Sequence, residues 1–283
     1  MKKILYAFLA LVLIAGLSSC KKDKIVNETI NGFDIHWDKN FTNAGEKDAL
    51  RDLIKNMVYV EGGQFVMGDT LGEYCLPNEG PMHLVNVSSF YINKYEVTQE
   101  VWLSVMGTQS GDDASNDWHD KYGLGKNFPA YRVSYSDVEK FIENINNLTG
   151  LTFQLPTEAQ WEFAARGGNS TVYSEYSGSD ESYEVAWTNL NAEKCNEVGL
   201  LYPNELGLYD MSGNVWEMCR DWYSDYTELE ATDPECTTYG DGYKVFRGGS
   251  WNNYENYSRV TSRYPQSIHY QDYQTGFRLS IVK

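Results

Sequence analysis

Leu155-Pro156-Thr157-Glu158-Ala159-Gln160-Trp161-Glu162-Phe163-Ala164-Ala165-Arg166-Gly167-Gly168 is the stretch whose reading settles most about this chain. Thr157-Glu158-Ala159-Gln160 has the form of a capping box, in which a hydroxyl and an amide satisfy two otherwise orphaned backbone N–H groups. It predicts a helix over residues 159–166. Trp161, Phe163 and Ala164 would bury one face, and Arg166 sits near the C-terminus, where the helix dipole favours a cation. Gly167-Gly168 then ends the helix. The next dense phrase is Asn204-Glu205-Leu206-Gly207-Leu208-Tyr209-Asp210-Met211-Ser212-Gly213-Asn214-Val215-Trp216-Glu217.

Outward from these two phrases the chain alternates short strands with a few helices. Thr98 caps a helix over 99–106 that Gly107 stops. Ser136-Asp137-Val138-Glu139 reads as another capping box, opening a helix with Val138, Phe141, Ile142, Ile145 and Leu148 on one face. Residues 57–68 read as two short strands around Gly62-Gly63, and residues 85–95 as a further strand pair. After Gly168 the pattern is loop-rich and aromatic. No strand–helix alternation of about 30 residues occurs, so a doubly wound parallel sheet is excluded and the expected class is α+β.

Composition narrows the function. The chain has 283 residues, 42% of them apolar and 22% charged, which is globular rather than disordered. The formal charge of −17 argues against nucleic-acid partners, which need a basic footprint, and against electrostatic binding to anionic lipid. Neither a P-loop nor GxGxxG, HExxH or GxSxG is present. The four histidines are far apart, without metal-ligand spacing. No catalytic residue emerges from these patterns.

The N-terminus reads as a targeting segment. Lys2 and Lys3 precede an apolar run, Ile4 to Leu17, that falls short of the ~20 residues a spanning helix needs. The run leads into Leu17-Ser18-Ser19-Cys20, the form of a bacterial lipobox. Residues 1–19 are thus expected to be a lipoprotein signal peptide and Cys20 the lipidated first residue of the mature chain. An ordinary secretory signal is the alternative. A lipid anchor on the cell envelope, in the outer membrane of a Gram-negative bacterium, is the expected location. Residues 20–55 read as a polar tether, and residues 56–283 as the domain. Cys75, Cys195, Cys219 and Cys236 allow two disulfides in three pairings, Cys219–Cys236 being favoured by nearness.

Six phrases together carry a family resemblance. Val60-Glu61-Gly62-Gly63-Gln64-Phe65-Val66-Met67-Gly68 and Tyr91-Ile92-Asn93-Lys94-Tyr95-Glu96-Val97-Thr98 open it. The two phrases quoted first stand at its centre. Arg247-Gly248-Gly249-Ser250-Trp251 and Gly276-Phe277-Arg278-Leu279 close it. In this order, over about four fifths of the chain, they resemble the formylglycine-generating enzyme (sulfatase-modifying factor) family. The resemblance implies one compact domain, an irregular C-type-lectin-like fold with short strands, few helices and much loop.

The resemblance also sets expectations for chemistry. Enzymes of the family oxidise a cysteine with copper held by two cysteines, between the Arg-Gly-Gly-Ser and Gly-Phe-Arg phrases. Here that interval, residues 251–275, contains no cysteine, and Cu(I) wants thiolates. No copper is expected. The family also holds a calcium around its Gly-Asn-x-Trp-Glu turn. By position this implies Asp210, Gly213, Val215 and Glu217, hard oxygen donors in one tight turn; turn-capping carboxylates are the alternative.

Residues 251–275 are instead rich in tyrosine, asparagine, serine and glutamine, the composition of adaptable binding surfaces. They also resemble the variable segment of retroelement-diversified proteins of the C-type-lectin fold. The candidate ligand-binding residues are Trp251, Asn252, Asn253, Tyr254, Asn256, Tyr257, Ser258, Tyr264, His269, Tyr270, Asp272 and Tyr273. An ordinary polar loop is the alternative. The sequence therefore points to a lipoprotein that binds an unknown protein or glycan without catalysis. A family oxidoreductase with a non-standard site, or a structural component like the gliding-type lipoproteins, are the alternatives.

Overall fold

The computed structural model describes residues 27–38, 44–69, 75–109, 118–170 and 173–282. Residues 1–26, and with them the expected signal peptide and Cys20, lie outside the described residues. Two strands, β1 (Asn27–Ile30) and β2 (Phe33–His36), precede helix α1 (Ala44–Lys55). Four strands follow: β3 (Met57–Val60), β4 (Gly63–Met67), β5 (His83–Val87) and β6 (Phe90–Asn93). Next come α2 (Gln99–Met106), α3 (Tyr135–Thr149), β7 (Phe153–Gln154) and α4 (Glu158–Ala165). A single helical turn, α5 (Ser182–Val185), leads to β8 (Ala186–Trp187), β9 (Ser212–Gly213) and β10 (Trp216–Trp222). The chain finishes with β11 (Ala231–Thr232), β12 (Tyr243–Arg247), β13 (Arg263–Ser267), β14 (Thr275–Gly276) and β15 (Ser280–Val282). None of the helices among the described residues is long and apolar enough to cross a membrane.

The strands gather into two four-stranded sheets, β13-β12-β10-β14 and β3-β6-β15-β7, a three-stranded sheet β11-β5-β4, and two small pairs. Strands form on both sides of Gly62-Gly63 and over residues 83–93, but not as the expected local pairs: their partners interlock. β3 pairs with β6 and β4 with β5, both antiparallel, so each connection passes from one sheet to another. A Cβ on Gly62 would lie 2.5 Å from the Val87 carbonyl oxygen, so the crossing point admits only glycine.

The helices follow their caps. Thr98 and Thr157 cap α2 and α4 as expected, and Gly107 closes α2 in the left-handed region. The box of α3 lies two residues earlier than expected. Ser134 Oγ accepts from the Asp137 amide, and the Asp137 carboxylate accepts from the Ser134 amide. This start brings Tyr135 into the buried face beside Val138, Phe141 and Ile145. In α4 the expected single buried face is a full circumference: all eight residues are buried. Strands β4, β5, β10 and β12 surround it.

The tether expected over residues 20–55 is corrected by packing. Ile30, Ile35 and Trp37 from the first hairpin enter the same core as Val97, Phe141 and Phe277. Ala49, Leu50, Leu53 and Ile54 of α1 join them, at the spacing of one helix face. Their polar neighbours outnumber them, which is why the segment reads as polar. The described fold begins at Asn27.

The expected Cys219–Cys236 disulfide is absent, and all four described cysteines are free. Cys219 is fully buried in β10, whereas the Cys236 thiol lies outside the core, near the Thr238 carbonyl. Proximity in sequence did not bring the two sulfurs together, because β10 turns Cys219 inward.

Charge is neutralised deep inside the fold. Arg247 pairs with Glu162, Arg259 with Glu79, Arg263 with Glu158 and Arg278 with Glu217, each pair almost wholly buried. The guanidinium of Arg247 also donates to the carbonyls of Val260, Thr261 and Ser262. These pairs tie α4 and the segment around Glu79 to the last third of the chain.

Candidate functional site

The Arg247-Gly248-Gly249-Ser250 phrase turns the chain out of β12 and sets the position of everything after it. Gly249 has φ +73°, and a Cβ there would lie 2.6 Å from Ser258 Oγ and 2.8 Å from the Tyr257 carbonyl oxygen. Residues 251–258 thus fold closely over this turn. Beyond them β13 returns antiparallel to β12, with Phe246 opposite Tyr264 and Lys244 opposite Gln266. The two-residue period of a strand places Tyr264 and Gln266 on one face.

That face walls a cleft of about 350 Å³. Asn252, Asn253, Tyr254, Tyr257, Tyr264, Tyr270 and Asp272 of the expected ligand-binding set line it. Trp216, Phe246, Gln266, Gln274 and Thr275 complete the lining. Trp216 forms an aromatic floor, 5.6 Å from the Tyr264 ring and 6.4 Å from that of Tyr257. Its indole N–H donates to Asn253 Oδ1 at 2.8 Å. Tyr270 donates to Asp272 at 2.7 Å, and Asp272 accepts from both the backbone and the side chain of Gln274. Burial pushes the Tyr270 phenol up, with Asp272 beside it adding to the rise. The cleft therefore combines a rigid aromatic base with polar groups already oriented by one another, while the tyrosine rings at its rim stay exposed.

The rest of the expected set points elsewhere. Trp251 is in the core, its indole N–H bonded to the Tyr273 carbonyl. Tyr273 stacks on Tyr122 with ring centroids 3.7 Å apart. Ser258 is buried beneath Gly249. His269 is exposed and outside the cleft lining. Asn256 lines a neighbouring cavity. Sequence reasoning missed Trp216 and Phe246, which come from β10 and β12 outside the segment. It also passed over Gln266, which the alternation with Tyr264 on one strand would have revealed.

The positions carried over for calcium flank the Gly213-Asn214 turn, and none of them lines the cleft. Gly213 sits at φ +79°, its Cα packed on the backbone of Trp187, and Asp210 and Asn214 also take positive φ. Asp210 Oδ2 accepts from the Gly199 amide at 2.7 Å, while Oδ1 is buried without a partner. Glu217 is chelated by Arg278, both contacts at 2.6 Å, and also accepts from the Trp161 indole. The set omitted Glu96, whose oxygens accept from the Val215 amide and the Asn214 side chain. Burial pushes Asp210 up to about 6, and the Glu217 charge adds to it. Burial raises Glu96 well above its ordinary range, with Asp210 and Glu217 adding. Three buried carboxylates thus share one guanidinium. The fit to a hard cation is partial: Asp210 has an oxygen to offer, whereas Glu217 is engaged. Among the described residues no three His, Cys, Asp or Glu side chains gather as a ready metal shell.

Comparison with known proteins agrees with this architecture. Residues 43–282 match the model of the Sulfatase-modifying factor enzyme 1-like domain, and the chain belongs to that family. It is 30% identical to the chaperone protein LppX of Paenibacillus barcinonensis, over 86% of each chain. It is 26% identical to the formylglycine-generating enzyme of Streptomyces coelicolor, over 79% of this chain and 88% of that one. Among solved structures, variable protein 1 of Treponema denticola superposes with a TM-score of 0.67 at 23% identity. That match covers 90% of this chain and 98% of the other. The fold is α+β, of the formylglycine-generating-enzyme type and C-type-lectin-like.

Proposed function

We propose that this is a cell-envelope lipoprotein whose sulfatase-modifying-factor domain binds a protein or glycan ligand, without catalysis, in the Trp216-floored cleft. The observation that carries the reading is convergence: seven of the residues singled out for their composition line one cavity. Its size lies within the ~300–1,000 Å³ usual for ligand sites. Tyrosines supply contact area at small entropic cost, and the pre-bonded Asn253, Asp272 and Gln274 fix where a ligand's polar groups must go. Similarity to a protein named as a chaperone is in keeping with binding. Photo-crosslinking in intact cells tests the reading, with the reactive group at Asn252 or, as control, at Glu143 on α3. An adduct specific to position 252, lost in Tyr264→Ala/Tyr270→Ala, is expected. No such adduct, together with no binding on a glycan array, would sink the reading.

The anchor is Cys20. Only residues 21–26 separate it from β1. At ~3.5 Å per residue the domain then stands within roughly 25 Å of the bilayer. The location proposed with it is the outer membrane of a Gram-negative cell, in keeping with a lipobox-type signal.

Catalysis of the formylglycine type is expected to be absent. The interval 251–275, where the family resemblance places the copper-binding pair, contains no cysteine, and burial raises the thiols of Cys195 and Cys219 well above their ordinary range. Incubation with copper, oxygen and a sulfatase-motif peptide should leave the peptide mass unchanged. A loss of about 18 Da, the mass change for converting a cysteine to formylglycine, would restore the enzyme reading.

A structural calcium ion at Asp210, Gly213, Val215 and Glu217 belongs to the same proposal. Its support is the unpartnered Asp210 oxygen and the surplus of carboxylates over Arg278. Calcium should raise the melting temperature and EDTA should lower it, because a ligand held only by the folded state stabilises it. Identical melting curves in both would remove the ion.

A further inference from the structure

A second cavity, of about 560 Å³, adjoins the first, and Tyr254 stands in the wall of both. It is built from the loop around α5 and from the turn that follows Trp251. Four carboxylates line it, Glu175, Asp180, Glu181 and Glu255, and none of its lining residues is basic. Beside them, and among small polar side chains, stand three large side chains open to solvent: Tyr183, Leu190 and Tyr254 are 63%, 66% and 67% exposed. Here they gather around one concavity with a charged rim, rather than lying scattered singly, which is the arrangement of an interaction site.

The walls are held in place before anything binds. Asp180 accepts from the Glu175 amide, and the Val260 amide donates to the Glu175 carbonyl. Ser182 donates to Glu255, and Asn189 N–H donates to the Asn253 carbonyl, joining the α5 loop to the other side. The carboxylates also sit uneasily together. Partial burial raises the Glu175 carboxyl above its ordinary range, against the pull of Arg259, and Asp180 and Glu255 add to the rise. The Arg259 guanidinium is already committed to Glu79 by a bidentate pair.

We infer that this second cavity receives a basic segment of a protein partner, with a lysine or arginine inserted among the carboxylates and an apolar neighbour against Leu190 and Tyr183. A long basic side chain matches both features of the lining. Its methylene stem lies along apolar surface while its head reaches a carboxylate, and a guanidinium also stacks on tyrosine rings. A bare metal ion matches only the carboxylates and leaves the aromatic wall without a role. The inference does not require the first cleft to be occupied. The shared Tyr254 allows one partner to span both.

The test is fluorescence anisotropy of the intact domain with a labelled pentapeptide, two arginines flanking a phenylalanine between terminal glycines. A peptide with glutamates in place of the arginines is the comparison. The basic peptide should bind and the acidic one should not. Glu175→Gln/Glu181→Gln should weaken binding at least tenfold. Glu100→Gln/Glu143→Gln, the same charge change on α2 and α3, should alter it less than twofold. Tyr264→Ala/Tyr270→Ala, in the first cleft only, should also leave it within twofold. Equal losses in both charge variants would reduce the effect to general attraction by an acidic protein and overturn the assignment. Loss in the tyrosine variant would move the peptide to the first cleft, with the same consequence, and absence of binding by the native domain would overturn it outright. Free spermidine as competitor separates the peptide from a small polyamine: displacement at concentrations below those of the peptide would make the polyamine the ligand and defeat the protein-partner inference.

Discussion

Arg278→Met is expected to lower the unfolding free energy by about 3–5 kcal/mol, the range for breaking a buried ion pair by removing one partner. For a domain of this size that is a fall in melting temperature of roughly 6–20 °C, at about 2–4 °C per kcal/mol. The reason is local. Arg278 is the cation facing Glu96, Asp210 and Glu217, all buried, and it also donates to the carbonyls of Asn93, Lys94 and Tyr209. Without it, three carboxylates face one another without a cation, and three backbone oxygens lose a donor. The exposed pair Asp52–Lys55 is the contrast, at 2.9 Å but with both side chains more than half exposed. Lys55→Ala should cost less than about 1 kcal/mol, because water and salt already screen that pair. Urea unfolding checks both. If Arg278→Met shifted stability by no more than the exposed variant does, with the same dependence on urea, the buried pair would not be holding the domain together.

The second large effect concerns binding. Tyr254→Ala/Tyr264→Ala/Tyr270→Ala should reduce affinity for the crosslinked ligand by at least about 100-fold, or ~2.7 kcal/mol. Aromatic residues around a preformed pocket are where binding energy concentrates. All three rings are substantially exposed, so their loss should leave stability nearly unchanged. Trp216→Ala is unsuited to the purpose. Trp216 is 7% exposed and packs in the main core, so loss of binding there would report loss of structure. Titration of the isolated domain, paired with a melting curve, separates the two. Unchanged affinity in the triple variant would remove the cleft as the binding site.

Much of the local structure is written in short-range chemistry. Thr98, Thr157, Gly107 and the apolar spacing of α3 are legible because caps and helical periods involve only neighbours in the chain. The family phrases are legible for a related reason. Most hold a position that only glycine fills, such as Gly213 against the backbone of Trp187 or Gly249 over Ser258. The Tyr- and Asn-rich segment is legible by composition, and seven of its members line the cleft.

What did not show has a common cause. α1 reads as polar because only four of its twelve residues face the core, and the helix they pack against, α2, lies more than 40 residues further on. Trp216 reads as part of a turn, since its partners Tyr257 and Tyr264 arrive from a turn and a strand later in the chain. The partners of Arg247, Arg259, Arg263 and Arg278 do not show in the sequence, for their glutamates lie 61 to 180 residues away. Membership of the family, the α+β class and the character of residues 251–275 follow from the amino-acid order, because caps, glycine positions and side-chain composition are properties of neighbouring residues. The cleft floor, the buried charge network, the free state of the cysteines and the acidic second cavity were decided by tertiary contact alone, because burial and long-range pairing exist only when distant segments meet.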